Sequence, residues 1–535
     1  MDKQRKRRDK TLANAVFGSA LVASAAVTQA MTFEFGDDSE WTLDWDTNVA
    51  YTAQMRVSKP DTDQFRYKNT GDTIADSQAY AVLINADDGD NNFKRGSLTQ
   101  NKASFVTEMD LKRDDYGLFA RARGYYDDVY DQNTQHNEEA FLTYNNSKDF
   151  PNGDADFKEF PPGTVDEHRD RLEMLDYFLY GSGTLPGERE FNLRLGSQVI
   201  NWGEATFTSG INGLQNRADL IARNTPGVEV KEILLPTGAL YGQVDVMTDL
   251  TFEAYYQYEW KKTELNGVGS YFSDRDFLGP GAVNFLIPLG SPDNLLAIPR
   301  TADEAASDSG QWGAALHWVV LGDTDIGLYY INAHSKAPAY QVNFLAGLPE
   351  SYTIRYFEDI QGYAASFTTV LANTNIQGEV SYKTGVPVVL LNGDPVEGDL
   401  ASYQLGGSYV FEPTKLWDDA VLVFELAGAY VTSEDSAELL YDDHGTVVNV
   451  RFEPAYLNLT QGLDLKVPIF LRRGLDGNIL ESEMVEDSSA VNITFQFVYL
   501  NNFITSFGYT NFFDGGENTY INDRDNVSVN VSYSF

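Results

Sequence analysis

Apolar and polar residues alternate over much of the chain. At the C-terminus every second residue is apolar and those between are small and polar: Val527, Val529, Val531, Tyr533 and Phe535 alternate with Ser528, Asn530, Ser532 and Ser534. Successive side chains of a β-strand point to opposite faces. The alternation therefore predicts a strand with one apolar and one polar face.

The same period recurs in earlier segments, among them 105–112, 191–199, 252–260, 376–383 and 491–499. After Ala30, polar residues interrupt every apolar run, so a chain that crosses a membrane would have to cross it with strands. The pattern predicts an all-β fold, a transmembrane antiparallel β-barrel of the bacterial outer-membrane type with roughly 14 to 18 strands. A soluble β-sandwich is the alternative.

The end of the chain favours the barrel over the sandwich. It finishes on Phe535, with a second aromatic residue, Tyr533, two positions earlier. This pair resembles the signal by which the outer-membrane assembly machinery recognises its clients. A soluble sandwich has little reason to end on Phe.

The first thirty residues differ from the rest. A basic start is followed by an Ala-rich apolar run from Leu12 to Val27 and by small residues up to Ala30. This is the pattern of a secretory signal peptide cleaved between Ala30 and Met31. Residues 31–535 are then one barrel domain in an outer membrane of a Gram-negative bacterium.

Turn residues predict an asymmetric barrel. Short turns, such as 113–117 and 501–502, join many of the strands. The long connections are predicted at 127–170, 203–237, 261–309 and 434–446. Bacterial barrels carry tight periplasmic turns and long extracellular loops.

The chain is strongly acidic. The full chain has 39 Lys and Arg against 79 Asp and Glu. Without residues 1–30, which hold six basic and two acidic residues, 33 basic and 77 acidic residues remain, a net charge of −44. This acidity argues against nucleic acid as a partner, and the absence of cysteine excludes a disulfide framework and a lipid-modified N-terminus.

Several stretches resemble a known family. They are 194–204 (RLGSQVINWGE), 253–260 (EAYYQYEW) with 269–274 (GSYFSD), 356–360 (YFEDI) with 378–382 (GEVSY), 88–90 near Phe93, and 33–37 (FEFGD). Together they resemble the proteobacterial outer-membrane barrel family that is number 1302 among the domains of unknown function.

The resemblance implies a role and partners. Genes of such proteins often lie beside those of a periplasmic lipoprotein-sorting-like protein and an inner-membrane exporter of the resistance-nodulation-division type. We therefore expect help in exporting a hydrophobic or lipid-like substrate across the envelope, with those two partners. The alternatives are a general porin that prefers cations because its mouth is acidic, and a surface protein in which the barrel displays adhesive loops.

The segment after the strand at 191–199 is a candidate constriction. It is long and polar, and as a hypothesis it folds into the lumen as a plug, since barrels of this size are often narrowed by loops. An ordinary extracellular loop is the alternative. The residues predicted to line the lumen or constriction are Trp202, Glu204, Arg217, Asp219, Arg223, Arg194 and Glu253.

A second candidate is a calcium loop. In the run from Asn85 to Asn92, Asp87, Asp88 and Asp90 surround Gly89, and closely spaced carboxylates around a glycine suit calcium. The run lacks the distant bidentate Glu of an EF-hand, so a hydrated turn is the alternative. We expect no other metal and no organic cofactor.

The sequence carries no enzyme signature. It holds no nucleophile elbow, phosphate loop or dinucleotide fingerprint, and its five histidines form no zinc-type pair. We therefore expect a protein that is not an enzyme.

Overall fold

The computed structural model describes residues 31–36, 39–61, 81–135, 159–290, 294–322, 324–434, 436–479, 484–516 and 519–535. The predicted signal peptide, including Ala30, lies outside the described residues, and Met31 opens the first described strand. Within the described residues, no helix is long and apolar enough to cross a membrane.

Most described residues lie in β-strands. The strands are β1 (Met31–Phe35), β2 (Trp41–Arg56), β3 (Leu98–Arg113), β4 (Tyr116–Asp127), β5 (Asp170–Leu185), β6 (Arg189–Gln198), β7 (Arg217–Ala218), β8 (Leu234–Leu235), β9 (Thr237–Met247), β10 (Leu250–Gln257), β11 (Asn284–Pro288), β12 (Leu295–Pro299), β13 (Gln311–Val320), β14 (Thr324–Ala333), β15 (Ala339–Leu345), β16 (Leu348–Arg355), β17 (Ile360–Leu371), β18 (Thr374–Val389), β19 (Pro395–Phe411), β20 (Asp419–Val431), β21 (His444–Thr460), β22 (Leu463–Lys466), β23 (Ile469–Asp476), β24 (Ser489–Tyr499), β25 (Phe503–Phe513) and β26 (Asn526–Ser534). The short helices are Asp88–Asn92, Pro162–His168, Leu220–Arg223 and Val230–Ile233, with 3-10 turns at Asp128–Asp131, Ile211–Leu214 and Ser436–Glu438.

Twenty of these strands form one antiparallel sheet that closes on itself, because β26 pairs with β2. β1 continues the line of β26 along the same edge of β2. β22 and β23 are one barrel strand interrupted at Val467 and Pro468, since both pair with β21 and β24. Counting each of these two pairs once leaves 18 barrel strands. The predicted barrel is confirmed, at the upper end of the predicted strand number.

The alternation of the sequence becomes the two faces of the barrel wall. On β18, Val380 is 58% exposed and Tyr382 41%, whereas Glu379 is 4% exposed and Lys383 8%. Large apolar side chains are thus displayed outward, where they can face lipid, and polar ones point into the lumen. The fold is a transmembrane β-barrel of the outer-membrane type.

The two ends of the barrel differ. At one end, here called the turn end, neighbouring strands are joined by short turns, and the chain terminus Phe535 hydrogen-bonds to Thr47 in both directions (2.9 and 3.0 Å). At the other, the loop end, lie the long connections. The loop end also holds two long connections that the sequence analysis did not predict, 57–97 and 334–359.

The loop-end connections pack on one another. β11 pairs with β12, and β15 with β16, as two small hairpins outside the barrel sheet. Phe277, Ile298, Tyr352, Ile354 and Tyr356 form a buried apolar cluster between these hairpins. The loop end is therefore a folded layer over the barrel.

Candidate functional site

One loop-end connection folds into the barrel. Residues 199–236, here called the inward segment, link β6 to β9. The chain turns at Gly203, which has a φ of +86°, a conformation that favours glycine. A Cβ at this position would lie 2.0 Å from Oε2 of Glu379 on β18. The backbone can approach this carboxylate only because residue 203 has no side chain.

Two buried glutamates hold the inward segment. Glu379 accepts hydrogen bonds from the backbone N–H groups of Glu204 (3.0 Å) and Ile211 (2.7 Å). Glu425 accepts them from three consecutive N–H groups, those of residues 206, 207 and 208, at 2.7, 3.0 and 2.8 Å. Hydrogen bonds to a carboxylate are stronger than those between neutral groups. These five bonds fix the path of the segment.

The segment reaches the wall opposite its origin. Thr208 accepts a hydrogen bond from Asn449 on β21 (3.2 Å), and Phe207 packs on Phe470 of β23 (5.4 Å between ring centroids). β21 is nine strand pairings from β6 in either direction round the barrel. The inward segment therefore crosses the lumen.

Further polar contacts close the space along the crossing. Gln377 donates to the carbonyl of Glu204 (2.7 Å), and Lys383 donates to the carbonyl of Gly210 (2.8 Å). The cavity between residues 208–210 and the wall measures about 10 Å³, roughly the space for one water. At residues 208–210 the segment therefore lies in close contact with the wall.

The facing wall is hollowed by glycines. A Cβ at Gly362 on β17 would lie 2.5 Å from Cδ1 of Leu214 and 2.8 Å from Cδ1 of Ile211. A Cβ at Gly313 on β13 would lie 2.8 Å from the ring of Trp202. The barrel wall and the inward segment are thus complementary in shape.

Tyr241 completes a chain of contacts among three of the residues that were predicted to line the lumen. Glu253 accepts hydrogen bonds from the indole N–H of Trp202 (2.7 Å) and from the hydroxyl of Tyr241 (2.9 Å). The guanidinium of Arg194 lies over the Tyr241 ring, 4.3 Å from its centroid. Trp202, Arg194 and Glu253 therefore form one contact chain between the wall and the start of the segment.

Glu204 lies in an acidic part of the lumen. Its Oε2 is buried and accepts no hydrogen bond from a described residue. The pKa of Glu204 is raised to about 7, because the side chain is buried and because the carboxylate of Asp325 lies nearby, while His317 acts in the opposite direction. His317 lies 3.4 Å from Asp325 and 4.0 Å from Glu253. We call Glu204, Glu253, His317 and Asp325 the acidic wall cluster.

The remaining predicted lumen residues lie on the side of β4 and β5. Asp219 is 1% exposed, caps the helix Leu220–Arg223 and forms an ion pair with Arg123 of β4. Arg217, 8% exposed, pairs with Glu264 (3.1 Å). Arg223 is exposed at the end of that helix. Arg217 and Asp219 thus tie the inward segment down instead of lining an open path.

Two other predicted sites have defined positions. Tyr533 and Phe535 stack with 5.8 Å between ring centroids on the outward face at the turn end. Asp87 and Asp88 are buried beside Asp276. Their predicted companion Asp90 instead pairs with Arg56 at 2.8 Å.

The strongest anchors of the inward segment, Glu379 and Glu425, do not stand out in the sequence. Glu379 lies in the alternating segment 376–383, but nothing in the sequence links it to residues 204–211. Glu425 was not singled out, although a lone acid within the apolar run of β20 is a recognisable signal. Tyr241 carried no signal, because its role depends on contacts that only the folded barrel brings together.

A closed 18-strand barrel whose lumen is crossed by one of its own connections defines the class: a plugged transmembrane β-barrel. The sequence profile of the family described as "Protein of unknown function (DUF1302)" matches residues 12–535. The chain belongs to this family, as the resemblance predicted. Among curated proteins, none matches the chain.

Solved structures with a similar fold include three outer-membrane proteins. They are OccAB1 of Acinetobacter baumannii (9% identity, TM-score 0.44, covering 96% of this chain and 99% of that one), OccK2 (OpdF) of Pseudomonas aeruginosa in complex with glucuronate (9%, 0.40, 92% and 98%) and the outer membrane channel DcaP of A. baumannii (10%, 0.38, 94% and 99%). Scores this low carry no functional inference.

Proposed function

We propose that this protein is a gated outer-membrane channel, closed while the inward segment is docked and open to polar solutes when it is displaced. The observation that supports the proposal is the crossing itself, held by Glu379 and Glu425 through backbone hydrogen bonds. Hydrogen bonds and small apolar contacts can be exchanged for water without unfolding the wall.

The charges of the lumen favour cations. The acidic wall cluster places three carboxylates round one histidine, and both anchors of the segment are glutamates. The arginines on the β4–β5 side are already paired, Arg121 with Glu108 and Asp176, and Arg123 with Glu173 and Asp219. Unpaired acids in a narrow, low-dielectric lumen concentrate cations. This corresponds to the cation-preferring porin among the sequence-based alternatives, with a gate added.

A disulfide lock tests the gate. The chain has no cysteine, so Thr208→Cys with Asn449→Cys introduces a single thiol pair across the lumen, at side chains that now meet at 3.2 Å. In planar bilayers the oxidised protein should stay closed and the reduced one should show opening events, with a reversal potential that indicates cations. Thr208→Cys alone, under the same oxidant, is the matched control.

A complementary variant removes the crossing. Replacing residues 203–216 with a short Gly/Ser linker should give a permanently conducting barrel, whereas replacing the exposed tip of the β15–β16 hairpin, 343–350, should not. Equal conductance of the linker variant and the native chain would refute the gate. A display protein, the third sequence-based alternative, would show no opening events in the reduced state either.

A lipid-like substrate is a second candidate, supported by a different observation. An apolar groove of about 620 Å³ lies on the lipid-facing wall of β10 to β18, lined by Phe252, Leu316, Leu328, Tyr363, Val380 and Tyr382 among others. Filling it with Ala314→Trp should reduce the lipid that co-purifies with the protein, whereas Val529→Trp, on the outward face of β26, should not. The periplasmic lipoprotein-sorting-like partner and the inner-membrane exporter stay predictions, which co-purification with the native protein would test.

A further inference from the structure

The inward segment has two portions that lie against different sides of the lumen. Residues 203–214, here called the lobe, contact the wall between β17 and β23. Residues 217–236, here called the bound portion, contact the wall from β26 through β2 and β3 to β4. The two arcs of wall have no strand in common. Each portion therefore occupies its own part of the lumen.

Ion pairs with the wall hold the bound portion. Asp219 pairs with Arg123 of β4, and the same guanidinium donates to the carbonyl of Glu232 (2.9 Å). Lys231 pairs with Glu108 of β3 (2.8 Å). Separating a buried ion pair leaves charges without a partner, which is strongly unfavourable. These contacts tie the bound portion to two neighbouring strands.

The bound portion is also folded in its own right. β7 pairs with β8, and two short helices lie between them. Asp219 caps the first helix by accepting a hydrogen bond from the backbone N–H of Ala222 (2.9 Å). β7 is bonded to the connection 258–310 as well, because the backbone N–H of Glu264 donates to the carbonyl of Ala218 (2.8 Å). The bound portion is thus joined both to the wall and to the loop-end layer.

A glycine brings the bound portion onto the strands that close the barrel. Gly227 has a φ of +85°, and a Cβ there would lie 2.5 Å from Cγ of Asn530 on β26. The preceding carbonyl, that of Pro226, accepts a hydrogen bond from the hydroxyl of Thr52 on β2 (3.3 Å). The backbone fits the wall here without room for a side chain.

The lobe is attached in a different way. Its only ionisable side chain is Glu204, and its only regular structure is the 3-10 turn Ile211–Leu214. The wall glutamates hold it through its backbone N–H groups, which water can also satisfy. The lobe can therefore be displaced without separating an ion pair between described residues.

The two ends of the lobe are pinned together. The backbone N–H of Trp202 donates to Oε1 of Gln215 (2.9 Å), so the residues that flank the lobe are joined. Both are also bound to β10, since the indole donates to Glu253 (2.7 Å) and the carbonyl of Gln215 accepts from Gln257 (3.0 Å). Gly203, directly after Trp202, has the backbone freedom that suits a hinge. The lobe can swing about this base while the rest of the segment stays in place.

We propose that only the lobe moves when the channel opens, and that the bound portion stays in the lumen and sets the largest solute that can pass. This inference rests on the gate proposed above and adds which residues form its moving part. The open path runs between the bound portion and the wall from β17 to β23. The open channel therefore admits small polar solutes and excludes bulky ones.

Two matched thiols test which portion moves. The chain has no cysteine, and Thr208 in the lobe and Thr225 in the bound portion are both 6% exposed. In the refolded mature chain, Thr208→Cys should react with N-ethylmaleimide at least about tenfold faster than Thr225→Cys, because local opening exposes only the lobe. Glu425→Gln weakens the attachment of the lobe, so it should accelerate the reaction of Thr208→Cys at least about tenfold further and leave that of Thr225→Cys unchanged.

The outcomes of this labelling are distinct. Folded barrels of each variant are isolated first by their heat-dependent migration in gels, so unfolded chains do not contribute. Equal acceleration of both thiols by Glu425→Gln would show that the inward segment moves as one body and would overturn the inference while leaving the gate intact. If Glu425→Gln accelerates neither thiol, the gate itself is wrong and the inference falls with it.

The size of the open pore provides an independent readout. Polyethylene glycols that enter a pore lower its conductance, so a graded series measures the largest polymer admitted. The variant in which a Gly/Ser linker replaces residues 203–216 keeps the bound portion, so it and the open native channel should admit polymers up to the same size. A native channel that admits larger polymers than the linker variant would mean that the bound portion leaves as well, contrary to the inference.

Discussion

Glu425, midway along β20, accepts a 2.8 Å hydrogen bond from the backbone N–H of Thr208. Thr208 belongs to the inward segment, which begins at β6 on the far side of the barrel. The same carboxylate binds the two preceding N–H groups. A single side chain therefore holds three consecutive peptide groups at the point where the inward segment meets the opposite wall. This makes Glu425 the most informative position for testing the gate.

Glu425→Gln should raise the open probability of the channel. Glutamine loses the charge and turns an NH₂ group toward backbone donors. Hydrogen bonds to charged groups contribute about 1.5–3 kcal/mol each, so the loss of one corresponds to a roughly 10- to 150-fold larger open population. Single-channel recording measures it. The control Glu397→Gln lies on an exposed part of β19 and should leave the open probability unchanged; an equal rise there would point to a general charge effect.

Filling the hollow in the wall should displace the segment by a different route. At Gly362 a new side chain would overlap Leu214 and Ile211, because a Cβ alone comes within 2.5 Å of the first. In a Thr208→Cys background, Gly362→Leu should make the otherwise buried thiol react with a maleimide about 5- to 100-fold faster, because overpacking destabilises the docked state by about 1–3 kcal/mol.

The control for this experiment is Gly181→Ala on β5. There the nearest atoms to a new Cβ are 3.9 Å away, so labelling at Thr208→Cys should not change. Unchanged labelling in Gly362→Leu would mean that the wall can yield while the segment stays docked.

The barrel was predictable from the sequence because its cause is local. On β26, Val529 and Asn530 differ in polarity and are adjacent, so a period of two is visible without any fold. The interruption of the strand at Pro468 and the exact closure between β26 and β2 set the strand number, and neither follows from local pattern. For this reason the sequence predicts a range of 14 to 18 strands and not a single number.

The site was only partly predictable, since it consists of contacts between distant residues. Trp202 and Glu204 stood out as aromatic and charged positions after a strong strand, but their partners Glu253 and Glu379 lie about 50 and 175 residues further along the chain. Pairings at such separations follow from the closed barrel, which fixes which walls face each other. The calcium candidate shows the same limit, since Asp276 replaces Asp90 as the third acid.

The gate should open more readily as the pH rises from about 4.5 to about 7. The pKa of Glu204 in the docked segment is about 7, above the usual 4.5, because of burial and of Asp325. Between these two values the docked state binds more protons than the released state, so docking weakens as the pH rises, by at most about tenfold per pH unit for one group. Above the docked pKa the effect should level off.

Open probability recorded from pH 5 to pH 8 measures this dependence. Glu204→Gln should flatten the profile and keep the segment docked, because a neutral side chain stands where the protonated acid stood. A slope that remains in that variant would come from other titratable groups, among them His317 and Asp325. A native profile that is flat, or that falls with pH, would contradict the assignment to Glu204.

The chain terminus should matter for assembly beyond its contribution to stability. Phe535 is bound to Thr47 by two backbone hydrogen bonds and stacks on Tyr533. Phe535→Ala keeps those backbone bonds and removes only the ring, so the variant should refold in detergent like the native chain. In cells it should give several-fold less folded barrel, measured by heat-dependent migration in gels, because the terminal aromatic residue is the predicted recognition signal. Phe507→Ala removes an equally exposed outward ring from β25; if it lowers assembly as much as Phe535→Ala, the terminal residue acts through stability and not through recognition.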